Sequence, residues 1–122
     1  QHFYKFRIME ITQAVPLLAA LAQETRLAIF RLLVQAGEEG LSVGTIAQRL
    51  GLAAGATLSF HLKELVRTGL ARARQEGRFI YYSANYREMV DLLRFLTDNC
   101  CGGLGCAEVV AGCEPGDREH DG

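Results

Sequence analysis

Three features of the sequence predict a mainly α-helical fold carrying one small β-hairpin. The first is an amphipathic helix between Ala54 and Gly69: Leu58, Leu62 and Leu65 recur at i, i+4 and i+7, and Gly69 supplies the stop. The second is the change of period that follows. Leu70 to Gln75 and Arg78 to Ala84 read as two strands joined across Glu76-Gly77, the second rich in aromatic and β-branched residues. The third is a shorter helix ahead of them, Val43 to Leu50, ended by Gly51 and separated from the first by Leu52-Ala53. Two helices joined by a tight glycine-containing turn, with a hairpin behind them, make a winged helix-turn-helix.

The other elements follow in chain order. Residues 1–8, QHFYKFRI, fit no helical pattern and precede Met9, so they are expected to be a leader added ahead of a native start. From Glu10 a first helix runs with Val15, Leu18, Ala19 and Ala22 as its apolar face, and Pro16 is tolerable only near its start. A second helix, Glu24 to Gln35, holds Leu27, Ile29, Phe30, Leu33 and Val34 and ends at Gly37. Ser42 is the expected N-cap of the third, whose Ile46, Ala47 and Leu50 face inward. A last helix, Arg87 to about Asn99, carries Met89, Val90, Leu92, Leu93 and Leu96 with Phe95 on the flank. That apolar surface is wide enough for both a core and a partner helix. The expected division is a winged helix-turn-helix domain over 9–99 and a cysteine-containing sensor segment with a flexible tail over 100–122.

Composition narrows the function classes. With 122 residues and 49% hydrophobic content the chain supports one compact domain and not two. No apolar run reaches the ~18 residues of a membrane span, and no signal-peptide order opens the chain, so a soluble cytoplasmic protein is expected. The net charge of −1 hides a polarised molecule. Between Ala54 and Ala84 stand Lys63, Arg67, Arg72, Arg74 and Arg78 against Glu64 and Glu76, whereas from Asn85 onward carboxylates outnumber arginines. A locally basic helix and hairpin on a near-neutral chain suits a reader of phosphate-backed surfaces better than a general polyanion binder. An enzyme is not expected: no nucleophile sits in a phosphate-cradling loop, and neither His61 nor His120 has an evident partner for base work. His61 lies beside the Leu58 and Leu62 stripe and reads as a partly buried, hydrogen-bonded side chain.

In combination, Ser59-Phe60-His61-Leu62-Lys63-Glu64-Leu65, Thr68-Gly69-Leu70, Glu76-Gly77-Arg78-Phe79-Ile80-Tyr81-Tyr82 and the earlier Leu21 to Leu27 resemble the ArsR/SmtB family of bacterial metal-responsive repressors. The likeness covers roughly Leu18 to Leu96. It implies a homodimer joined through the first and last helices, with two reading helices in successive major grooves of a near-palindromic operator. A two-fold dimer spans half-sites about 34 Å apart. On that fold Ala56, Ser59, Phe60 and Lys63 supply base-edge and phosphate contacts, Phe60 or Ala56 touching a thymine methyl and Lys63 serving phosphate or guanine. Arg74 and Arg78 near the hairpin tip reach the minor groove or flanking phosphates. Without the fold, these cations would read as ordinary solvated charges.

All four cysteines fall at the end of the chain: Cys100, Cys101, Cys106 and Cys113. In a reducing compartment they are thiols, and a Cys100-Cys101 bridge would be strained. Thiolates select soft ions. Adjacent helical residues point about 100° apart, so Cys100 and Cys101 can share an ion only where the helix frays. Gly102, Gly103 and Gly105 give the freedom to bring Cys106 round as a third ligand. Three close sulfurs suit a trigonal ion. In the family this pattern points to trivalent arsenic, bound as a pyramid of three thiolates, with antimonite following the same geometry. Cysteine pairs after the last helix, followed by a third, occur among arsenite-responsive relatives. The sequence departs from the family's other sensor sites: Leu41-Ser42-Val43-Gly44 has no thiol where founding arsenic sensors carry two, and Asp91 and Asp98 have no histidine beside them. Zinc or cadmium remains an alternative, with Cys113 completing a tetrahedral set, as do thiol oxidation and a metal-independent DNA-binding module. Cys113 is expected to be dispensable for arsenite.

Overall fold

The computed structural model describes residues 8–103. Five helices and a three-stranded antiparallel sheet enclose one core. The order is α1 (Ile11–Leu21), α2 (Glu24–Ala36), β1 (Leu41–Ser42), α3 (Val43–Leu50), α4 (Ala56–Arg67), β2 (Ala71–Glu76), β3 (Phe79–Ala84) and α5 (Tyr86–Thr97), with a terminal turn, α6 (Cys100–Gly103). This is the winged helix-turn-helix expected. Leu17, Ile29, Leu33, Ile46, Leu62, Leu65 and Leu70 are its largest fully buried side chains. Burying each contributes about 1.5 to 3 kcal/mol.

Local chemistry sets the helix ends near α4. The Ser42 hydroxyl accepts the Thr45 amide at 3.2 Å and starts α3, and Gly51 ends it in the left-handed region at φ 68°. At the end of α4 the Leu70 amide donates to the Leu65 carbonyl and the Gly69 amide to Val66. That pair of bonds, with Gly69 at φ 93°, is a Schellman stop. It turns the chain from α4 directly into β2.

Three expectations need correction. The face of α1 that enters the core is Ala14, Leu17 and Ala20, while Val15 and Leu18 are 54% and 39% exposed. The helix is apolar nearly all round, so periodicity alone did not select the buried stripe. Pro16 is its sixth residue, well inside the helix, and the Thr12 carbonyl four residues earlier forgoes an amide donor. The hairpin turns at Gly77-Arg78, one residue later than expected, and β3 also pairs with β1 through Leu41 to Tyr82 and Ser42 to Tyr81.

Outward from the core lies a second apolar surface. On α5, Leu92 and Asp91 are buried, while Leu93 and Leu96 are 52% and 53% exposed. A hollow of about 380 Å³ between α2 and α5, lined by Leu27, Phe30, Val34, Met89 and Leu93 among others, continues this surface. Among the described residues no helix is long and apolar enough to cross a membrane.

Candidate nucleic-acid interface and thiol pair

The core fixes which way α4 faces. With Leu58, Leu62 and Leu65 seated inward, Ala56, Thr57, Ser59, Phe60, Lys63 and Arg67 are left exposed on the other side. Four of these, Ala56, Ser59, Phe60 and Lys63, are the base and phosphate contacts expected from the sequence. Thr57 joins them on the first turn. A single small polar residue carries no periodic signal, so the sequence alone does not single it out. Arg67 is not loose on this surface: it donates to both carboxylate oxygens of Glu64, at 3.2 and 2.8 Å. The Arg67 hydrogen bonds hold the Glu64 carboxyl below its ordinary value.

His61 is buried, as its place beside the leucines suggested, and bonds Arg26 across 35 residues at 3.0 Å. Its ring also meets Phe60 edge-on, centroids 5.7 Å apart. On the wing the two expected arginines differ. Arg78 sits in the exposed turn. Arg74 lies mid-strand, donating to the Glu39 carbonyl and pairing with Glu76, both at 3.2 Å, with its guanidinium 5.2 Å from the Tyr81 ring centroid. Arg72 reaches Asn85 at 3.3 Å. Asn85 caps α5 through the Glu88 amide and donates to the Gly69 carbonyl at 2.9 Å, so one side chain fastens the end of α4 to the start of α5.

At the far end of α5 the helix stops at Thr97, and Asn99 and Cys101 take left-handed conformations at φ 58° and 57°. Asn tolerates that region, whereas Cys101 is held there at a cost of about 1 kcal/mol. The turn aims two neighbouring side chains the same way. Cys100 Sγ and Cys101 Sγ are 3.5 Å apart, the first partly buried and the second exposed. Cys106 and Cys113 lie outside the described residues, as do the expected tail and all of the expected leader except Ile8. Met9, directly after it, is buried in the core. Among the described residues no group of three or more His, Cys, Asp or Glu side chains converges as a metal site.

Comparisons with known proteins converge on one class. A helix-turn-helix domain family model matches residues 21–74. No curated protein matches the chain. Among solved structures, an ArsR-like transcriptional regulator from Rhodococcus sp. RHA1 is 30% identical, with a TM-score of 0.62, the match covering 70% of this chain and 76% of that one. Reduced HlyU from Vibrio cholerae is 38% identical, with a TM-score of 0.55, covering 71% and 90%. A homodimeric winged helix-turn-helix DNA-binding domain from Mycobacterium bovis is 33% identical, with a TM-score of 0.56, covering 73% and 82%. Fold, wing and relatives agree, and the chain belongs to the ArsR family of winged helix-turn-helix transcriptional regulators.

Proposed function

We propose that this protein is a homodimeric repressor that reads a near-palindromic operator with α4 and the wing, and releases it when trivalent arsenic binds Cys100, Cys101 and Cys106. The carrying observation is the 3.5 Å separation of the Cys100 and Cys101 sulfurs at the break after α5. Two thiolates bonded to one ion at about 2.3 Å stand about 3.3 to 3.8 Å apart for bond angles of about 90 to 110°. The pair therefore suits a shared soft ion with little rearrangement. Cys106 is the third donor of this reading, and three thiolates without a fourth ligand favour arsenite, then antimonite, over tetrahedral zinc.

Dimerisation is supported by the outward stripes of α1 and α5, where Ile11, Val15, Leu18, Val90, Leu93 and Leu96 are exposed. Six large apolar side chains on two helices exceed what a lone domain commonly leaves in water. The Mycobacterium bovis relative is itself homodimeric. Base contacts come from Ala56, Ser59, Phe60 and Lys63, and Arg74 and Arg78 serve the flanking backbone. A regulator, with no catalytic step, is the reading these features favour.

The test is fluorescence anisotropy on a duplex that the protein selects from a random pool, under reducing conditions, titrated with arsenite and separately with zinc. Micromolar arsenite is expected to release the DNA while zinc does not. Cys100→Ser and Cys101→Ser should each remove the response and leave DNA affinity within about twofold, since neither thiol is on the reading face. Release by zinc alone would replace the trigonal site with a tetrahedral one, and no response to either would end the metalloid reading. A second reading is favoured by the same short sulfur separation and by a relative solved as its reduced form. A peroxide would join the two sulfurs, taking two electrons and two protons and leaving as two waters. Release by peroxide in the absence of arsenite would select it.

A further inference from the structure

The reading helix is held to the protomer by a polar contact as well as by its leucines. His61, on α4, is 9% exposed. Its Nδ1 lies 3.0 Å from Nη1 of Arg26, in the first turn of α2. Arg26 also donates from Nε to the Ala20 carbonyl, near the end of α1, at 2.8 Å. One guanidinium thus joins three helices, including the one that faces DNA.

A guanidinium offers donors only and keeps its charge at any ordinary pH. In this contact Nδ1 must accept, so the ring is neutral with its proton on Nε2. An imidazolium would have no acceptor to offer and would set a second positive charge about 3 Å from the first. The surroundings give little relief. Among the described groups, α2 brings Arg26 against the ring, and α1 carries no ionisable side chain. On α4 itself, Glu64 feels the charge of Arg26, yet gives both its oxygens to Arg67. β2, which also packs on α4, commits Arg72 to Asn85 and Arg74 to Glu39 and Glu76. Burial, and after it the charge of Arg26, draws the His61 pKa below its ordinary 6.5.

We propose that the Arg26–His61 contact is a proton-sensitive latch: with His61 neutral the reading helix is seated for DNA, and protonation unseats it and weakens binding. The inference rests on α4 being the DNA-contacting helix. Arg26 and His61 are positioning residues within it. Because the folded protein binds fewer protons at this site than the unfolded chain, the stabilisation is fully present above the unfolded value near 6.5 and is lost as pH falls from there through the lower folded value. The sign is distinctive. Protonating a histidine that merely lay near DNA would add positive charge and strengthen binding.

The experiment follows DNA anisotropy and thermal unfolding of the full chain from about pH 8 to about pH 5.5, for the wild type and His61→Gln. The glutamine keeps an acceptor for Arg26 and does not titrate. The wild type is expected to lose about 5-fold or more in affinity on acidification, with a parallel fall in Tm. His61→Gln should be nearly flat in both. Equal pH dependence in the two proteins, or wild-type affinity that rises toward low pH, overturns the latch. If His61→Gln does not fold, nitrogen-15 NMR of the wild-type imidazole decides: the Nε2–H tautomer and a midpoint below 6.5 support the latch, and the Nδ1–H tautomer or an ordinary midpoint overturns it. Absence of DNA binding at about pH 8 strikes the DNA reading itself, whereas firm binding that ignores pH strikes only the latch.

Discussion

Ser59 and Lys63 stand one helical turn apart on the exposed side of α4, yet on the proposed reading their chemistry would give them different work. Lys63→Ala is expected to weaken binding to every duplex alike and to reduce the salt slope by about 1, because an ammonium on phosphate carries no sequence information. Ser59→Ala should instead lose about 1 to 3 kcal/mol of discrimination at one base pair with the salt slope unchanged. Anisotropy titrations across a salt series, on the selected duplex and its single-pair variants, separate the two. An unchanged slope for Lys63→Ala would take that side chain off the phosphates. The outward set was legible in the sequence because a 3.6-residue period leaves one outward face once Leu58, Leu62 and Leu65 are placed inside. Long-range contacts were not. Nothing local announces that Arg26 meets His61, or that Arg74 gives Nη1 to the Glu39 carbonyl and Nε to Glu76.

Helix ends were readable wherever one residue supplies the mechanism: Ser42 and Gly51 bound α3, Gly69 closes α4 and Gly37 follows α2. β1 escaped because a two-residue strand has no period. It exists only through pairing with β3, and the approach that permits this is at Gly40, whose φ is 79° and where an added Cβ would run into the Tyr82 carbonyl. Gly37 has φ 93° but open space around it. The two glycines therefore separate backbone strain from steric conflict. Gly37→Ala is expected to destabilise by about 1 to 3 kcal/mol through its backbone at φ 93° and ψ 179° alone, and Gly40→Ala by more, since it must also push β1 off β3. Urea unfolding of both variants measures the difference, and equal losses would show that the Tyr82 carbonyl yields freely. The thiol pair was half legible. Clustering marked Cys100 and Cys101 as chemistry, while the left-handed turn that converges them depends on backbone angles at Asn99 and Cys101.

For the molecule as a whole the open question is how the apolar stripes of α1 and α5 are covered. If a second copy covers them, Leu93→Arg places a charge in the middle of the seam and should convert the dimer to monomer in sedimentation velocity. Operator affinity should fall by at least about 100-fold as the two half-sites lose their linkage. A monomeric wild type would remove the dimer from the proposal. Within one protomer, Ser42 is shared: it pairs with Tyr81 in the sheet and its hydroxyl starts α3. Asn85 likewise binds the end of α4 to the start of α5, and the Tyr86 hydroxyl donates to the Leu33 and Val34 carbonyls of α2. Wing, helix pair and last helix are pinned to one another by single side chains. Apart from the Arg26–His61 seat of α4, the protomer is consequently a lever without an elbow. On the proposed reading, a ligand at the far end of α5 would set the angle at which two such levers cross, and the arm from thiols to α4 would magnify a small local turn into a mismatch with the pitch of DNA.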